Sequence, residues 1–287
     1  MPGKPVDPES LFVSTRWLAE HLSAPDLVIF DASWHMPATG RNARQEYRAG
    51  HIPGAVFFDL DAIADHSTDL PHMLPDPVAF SAEMRKLGFG DGMRAVVYDS
   101  VGLFSAPRLW WTLRVFGVEE VSLLSGGLEQ WKSEALPLEE GETPRRPRHF
   151  TARFDHCLVA DKGDVKKALE TKSAQVVDVR SAERFAGKAP EPRPGLRSGH
   201  MPGALNLPFG ALVDGRVLKP RAELEAAFAQ AGIDPDRPVI ASCGSGVSAA
   251  ILSFALAATG RPPAIVYDGS WAEWGAAADL PVVVDAS

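Results

Sequence analysis

The same short string occurs twice in this chain, Gly50-His-Ile-Pro-Gly-Ala55 in the first half and Gly199-His-Met-Pro-Gly-Ala204 in the second. Around each copy the other signals recur in the same order. A β-rich run with an acid lies upstream, Leu27-Val-Ile-Phe-Asp31 and Gln175-Val-Val-Asp-Val-Arg180. Downstream, Ala95-Val-Val-Tyr-Asp-Ser100 answers to Val239-Ile-Ala-Ser-Cys243, and Gly126-Gly-Leu-Glu-Gln-Trp131 to Gly269-Ser-Trp-Ala-Glu-Trp274. On this alignment Ser100 takes the place of Cys243. A chain of 287 residues is long enough for two units, each with a core of its own. Short β-branched runs alternate with helical patterns at 107–116 and 222–229, which predicts an α/β fold in each unit, a mostly parallel central sheet flanked by helices. The expected units are 1–136 and 154–287. Residues 137–153 between them open on a stretch rich in proline and charge and lacking an apolar period, and read as an extended surface linker.

The chemistry points to Cys243. It closes a short apolar run that reads as a buried parallel strand over 237–243, and it opens the small-residue loop Cys243-Gly-Ser-Gly-Val-Ser248. The loop runs into an apolar helix over 249–258, stopped by Gly260 and Pro262. Strand, tight loop and helix place a sulfur beside unpaired backbone N–H groups and the positive end of a helix dipole, where an anionic sulfur is stabilised. The competing reading of a buried cysteine, a small hydrophobe, assigns it no chemistry. Cys157, at the edge of the linker, reads as inert.

The two His-x-Pro-Gly-Ala histidines read as structural. Pro-Gly sets a tight turn, the imidazole bonds local backbone, and the motif recurs in the half without the cysteine.

Composition narrows the classes that remain. Hydrophobic residues make up 45% and charged residues 23%, as in ordinary soluble proteins, and no run of eighteen apolar residues exists to span a membrane. The first ten residues carry neither a secretory nor an import pattern, so the cytoplasm is the expected location. Two cysteines without paired spacings suit a reducing compartment. A net charge of −8 argues against a nucleic-acid partner and leaves room for a local cationic pocket. No cofactor is expected, nor a metal, because the histidine spacing offers no ligand set. A phosphatase loop would need Cys-x5-Arg, and the sixth residue after Cys243 is Ala249.

From about Val13 to Trp274 the chain resembles the tandem rhodanese-like domain family, with an inactive first copy and a catalytic cysteine in the second. Its neutral loop is similar to that of the 3-mercaptopyruvate sulfurtransferases, which usually carry threonine where Ser248 stands. Thiosulfate-preferring relatives typically place cations after the cysteine, where this chain has Gly244 and Ser245. The resemblance implies a Cys243 persulfide, cradled by the backbone of Gly244, Ser245, Gly246, Val247 and Ser248. It implies that Arg184 and Arg193, in Glu183-Arg-Phe-Ala-Gly-Lys-Ala-Pro-Glu-Pro-Arg193, hold the donor, although Lys188 and Arg197 lie close by. It further implies a relay of Asp61, His72 and Ser245 across the domain interface, with His72 in an insertion absent from the second half. The implied partners are 3-mercaptopyruvate as donor and a thiol, thioredoxin or a small molecule, as acceptor.

Overall fold

A computed structural model describes residues 6–285. In the first repeat β1 (Phe12–Val13), β2 (Leu27–Asp31), β3 (Val56–Phe57), β4 (Arg94–Tyr98) and β5 (Val121–Leu124) form one sheet, ordered β1-β5-β4-β2-β3. In the second, β6 (Val159–Ala160), β7 (Gln175–Asp178) and β8 (Leu205–Asn206) precede a hairpin, β9 (Val213–Asp214) and β10 (Val217–Leu218). With β11 (Val239–Ser242) and β12 (Ile265–Tyr267) the second sheet is ordered β6-β12-β11-β7-β8, the same arrangement strand for strand. Every pairing within the two five-stranded sheets is parallel, and the expected α/β duplication is what forms.

Helices α1 (Thr15–His21), α2 (Ala43–Ala49), α3 (Pro77–Lys86), α4 (Ala106–Val115) and α5 (Gly127–Ser133) cover the first sheet. Helices α6 (Lys162–Thr171), α7 (Ala182–Phe185), α8 (Arg221–Gln230), α9 (Ala249–Ala258) and α10 (Ser270–Trp274) cover the second. Strand β2 is buried along its whole length, which is why its sequence shows no polar alternation. None of these helices is long and apolar enough to cross a membrane.

Each repeat buries an apolar cluster of its own, Leu27, Ile29 and Trp131 in the first and Val176, Ile240 and Trp271 in the second, and the helices that follow β4 and β11 add a third that the two share. Helix α9 is buried from Ala249 to Ala257, and α4 buries all but one of its residues, so neither keeps the solvent face of an ordinary surface helix. They pack against each other, with Trp110 and Phe254 meeting edge to face at 5.0 Å. One apolar cluster therefore runs from Val28 and Phe30 through Trp110 and Phe254 to Val177 and Ala241. The domain interface is itself core.

The segment after α5 is extended, but it is strapped to the first repeat. His51 and Glu139 exchange two backbone hydrogen bonds, both 2.9 Å, Arg85 Nε donates to the Phe150 carbonyl at 3.0 Å, and the Phe150 ring is buried. The repeated histidines do what their turns implied. His51 Nδ1 lies 2.8 Å from the Tyr47 carbonyl and His200 Nδ1 lies 2.9 Å from that of Phe185, each ring stacked on the same residue at 3.9 Å.

Candidate active site

Strand β11 is paired on both edges, by β7 and β12, so the chain leaves Ser242 at a fixed point and Cys243 begins the turn into α9. The start of α10 sets the backbone of that turn: the Trp271 and Ala272 N–H groups donate to the carbonyls of Cys243 and Gly244 at 3.0 and 2.9 Å. Ser270 Oγ accepts from the Cys243 N–H at 3.2 Å and donates to the Tyr267 carbonyl at 2.8 Å. The N–H groups of residues 244–248, by contrast, have no acceptor among the described residues. Unpaired donors in a loop ahead of a helix favour negative charge on whatever they surround. Cys243 is buried, as are Ser245 and Val247, and Ser248 precedes α9 without a side-chain cap. Gly246 turns at φ +78°, and a Cβ there would lie 2.7 Å from Arg108 Nη1 and 2.9 Å from the Asp268 carbonyl oxygen, so the position requires glycine.

Both expected arginines converge on this loop. A Cβ on Gly244 would lie 3.3 Å from Arg184 Nη2 and 3.9 Å from Arg193 Nη1. The single turn of α7, capped by Ser181, carries Arg184, whose Nε and Nη2 donate to Glu191 at 3.2 and 2.5 Å. Glu191 also accepts from Arg180 Nη1 at 2.7 Å, and Arg180 pairs with Asp178 at 2.6 Å and lies 4.0 Å over the Trp271 ring. Arg184 is thus the half-buried end of a buried chain of alternating charge. Arg193 has no carboxylate partner among the described residues. Burial holds its guanidinium below the usual arginine range, a shift the Cys243 charge opposes. Arg197 is excluded from the site, because its guanidinium is committed to the carbonyls of Trp274, Gly275, Ala277 and Leu280.

The first repeat completes the cleft. His72, in the left-handed region at φ 62°, presents Nε2 at 3.4 Å from Arg193 Nη2. Its Nδ1 lies 2.8 Å from Asp61 Oδ1, and Trp34 Nε1 donates to Asp61 Oδ2 at 3.0 Å. The His72 contact outweighs burial and holds the Asp61 carboxyl below its ordinary range. The structure joins two members of the expected relay and not the third, since Ser245 makes no hydrogen bond to His72. Nor is the His72 segment an insertion with no counterpart: the second repeat fills the corresponding stretch with the β9–β10 hairpin.

A family model, the rhodanese-like domain, matches residues 14–134 and again residues 161–277. The chain belongs to the rhodanese-like family. The 3-mercaptopyruvate sulfurtransferase of Escherichia coli (strain K12) is 50% identical over 272 residues, 94% of this chain and 97% of that protein. The Homo sapiens protein of that name is 42% identical over 269 residues, 91% of each chain. The crystal structure of SseA from Escherichia coli, 48% identical, matches with a TM-score of 0.84 over 91% of this chain and 98% of its own. Tum1 from Saccharomyces cerevisiae, 32% identical, matches at 0.87 over 96% and 98%.

The two rhodanese-like repeats differ at the cysteine position in a way that corrects the sequence alignment. In the sheets Asp31 pairs with Tyr98, and Asp178 pairs with Ser242. The residue after each partner is therefore equivalent, so Asp99, not Ser100, stands where Cys243 stands. The N–H of Leu128 bonds the Asp99 carbonyl just as that of Trp271 bonds the Cys243 carbonyl. The first loop is one residue longer, which is what misled the alignment by string. The Asp99 carboxylate accepts from the N–H groups of Val101, Gly102, Phe104, Ser105 and Ala106, at 2.6 to 2.9 Å. The first repeat has turned its loop donors onto its own side chain.

Each such donor left without a partner costs about 1 kcal/mol or more, so Asp99→Ala is expected to lower Tm by ~10 °C. Ser100→Ala should move it by ~2 °C or less. Thermal denaturation of the two variants checks the assignment, and equal shifts would contradict it.

Sequence reasoning missed Glu191, Arg180, Arg108 and Asp268. Glu191 lies within the segment quoted for the arginines and Asp178-Val-Arg180 ends a recognised strand, but nothing local marks either as a buried partner.

Proposed function

We propose that the second repeat moves sulfur from 3-mercaptopyruvate to a thiol or cyanide through a Cys243 persulfide, releasing pyruvate. The observation that carries this reading is the approach of two guanidinium groups to one cysteine loop whose N–H groups are unpaired. An α-keto acid offers a carboxylate and a carbonyl oxygen, and guanidinium groups bind both through charge-assisted hydrogen bonds. Arg193, without a carboxylate partner, takes the carboxylate. Arg184, already neutralised by Glu191, orients the keto oxygen.

With the donor so held, its sulfur faces the Cys243 thiolate, and orientation supplies much of the rate. The thiolate attacks that sulfur, an S–S bond forms, and the carbon–sulfur pair leaves as the enolate of pyruvate. The proton of the donor thiol returns to the enolate carbon through His72, Ser245 or water, so that thiolate and donor become persulfide anion and pyruvate without an oxidant. Asp61 holds His72 in place. The N–H groups of Gly244, Ser245, Gly246, Val247 and Ser248 receive the outer sulfur. A thiol, thioredoxin or a small thiol of the cytoplasm, then removes it. The sulfurtransferase relatives support this reading.

The test is pyruvate release from 3-mercaptopyruvate with a thiol acceptor, run beside sulfite release from thiosulfate with cyanide. Mercaptopyruvate should win, and a thiosulfate preference would overturn the donor. Loop charge is tested by Ser245→Lys, because any side chain at 244 would meet Arg184. The added cation is expected to shift relative kcat/KM toward the thiosulfate dianion by ~10-fold. An unchanged ratio would reject the neutral loop as the source of selectivity.

A further inference from the structure

We propose that Arg108 and Asp268 form the clamp through which the first repeat positions the catalytic loop of the second. Arg108 lies on α4 and Asp268 directly after β12, and their side chains are 2% and 5% exposed. The guanidinium crosses the interface. Its Nη2 donates to Asp268 Oδ1 at 2.7 Å and to the His72 carbonyl, and its Nη1 donates to the Gly246 carbonyl at 3.2 Å. Asp268 Oδ2, in turn, accepts from the Leu74 N–H at 2.8 Å. One ion pair therefore holds the chain at His72 and at Leu74, either side of Met73, and the middle of the Cys243 loop.

Stability alone does not call for an ion pair here. Burying two charges is costly, and apolar residues of similar volume commonly serve as well. What the pair adds is direction. The planar fork of arginine addresses three acceptors at set angles, which a lysine ammonium does not reproduce. Of the two segments it grips, the one at His72 lies in the left-handed region at φ 62°, a conformation that a residue other than glycine keeps only with support from its surroundings. Trp111, 4.5 Å from the guanidinium carbon, fixes the arginine from the side. The clamp also explains why a copy lacking the cysteine is kept: it supplies His72, Asp61 and the residue that sets their distance from Cys243. Arg108 is a positioning residue, since its guanidinium bonds the Gly246 and His72 carbonyls and Asp268.

This inference rests on the proposed reaction, and its test separates the two. Arg108→Met, Arg108→Lys and Arg108→Met/Asp268→Leu are compared with the parent protein in Tm, in kcat and KM for 3-mercaptopyruvate, and in the alkylation rate of Cys243 by iodoacetamide. Arg108→Met leaves Asp268 buried and unpaired and is expected to lose both Tm and kcat. The double replacement removes both charges and should recover Tm while kcat stays ~30-fold down and KM remains within ~3-fold, because Arg184 and Arg193 are untouched. Arg108→Lys should keep most of the Tm and lose ~10-fold in kcat. Recovery of kcat together with Tm in the double variant would reduce the pair to a structural contact and overturn the proposal. So would a parent-like kcat in Arg108→Lys, which decides the matter if the double variant does not fold. If the parent protein itself fails to release pyruvate, the reaction is wrong; the clamp is then judged on alkylation, where an unchanged Cys243 rate in Arg108→Lys would overturn it and an altered rate would uphold it.

Discussion

Cys243→Ser is expected to abolish sulfur transfer in a protein that stays folded, with turnover lower by on the order of 10⁴-fold or more and Tm within ~2 °C of the parent. In the proposed reaction the thiolate forms the bond to the transferred sulfur, and a serine hydroxyl at neutral pH neither ionises nor attacks sulfur. The fold does not depend on the thiol. The bonds that shape this turn run through the backbone of residue 243, its N–H to Ser270 and its carbonyl from Trp271, and a serine keeps both. The checks are pyruvate release, intact mass after exposure to the donor, and thermal denaturation. Gain of a sulfur atom on the variant, or retained turnover, would falsify the assignment.

Arg193→Ala is expected to show the next largest effect, a loss of ~100-fold in kcat/KM, equivalent to about 3 kcal/mol, mostly through a raised KM. Arg193 has no carboxylate partner to share its charge among the described residues, and burial has already stripped it of much of its water. Removing it orphans no acid, so Tm should hardly change. Arg184→Ala differs in kind, because it takes a partner from the buried Glu191, which keeps only Arg180. A steady-state comparison of the two variants beside their Tm values distinguishes the roles. A parent-like KM in Arg193→Ala would remove it from the binding site.

Much of the site was legible because it is local. The Cys243 loop lies between a strand and a helix that are contiguous in the chain, and the turn demands small residues whatever the rest of the molecule does. Arg184 and Arg193 belong to one short segment of the same repeat, and the resemblance picks them out there from Lys188 and Arg197. The Asp61–His72 contact also follows from the resemblance, and Ser245 does not join it.

Asp99 shows where string comparison fails. Identical-looking runs ending in Asp-Ser100 and Ser-Cys243 suggest one register, but the hydrogen-bond ladder of the sheet counts from Asp31 and Asp178 and selects another. The extra residue in the first loop has no sequence signature, because it is absorbed in a turn held by the Asp99 carboxylate.

The sequence by itself determined the duplication, the parallel α/β architecture and the cysteine at the head of α9. Periodicity, strand length and turn chemistry are properties of neighbouring residues and act before the chain is folded. Only the tertiary structure decided which charges count. Arg108 looks like one of the polar residues of a largely apolar helix, and Asp268 and Glu191 look like solvated acids, until folding removes water from them and leaves only particular arginines within reach, Arg108 for Asp268 and Arg180 with Arg184 for Glu191. Desolvation makes those pairs specific, and desolvation belongs to the folded interface, not to the string of residues.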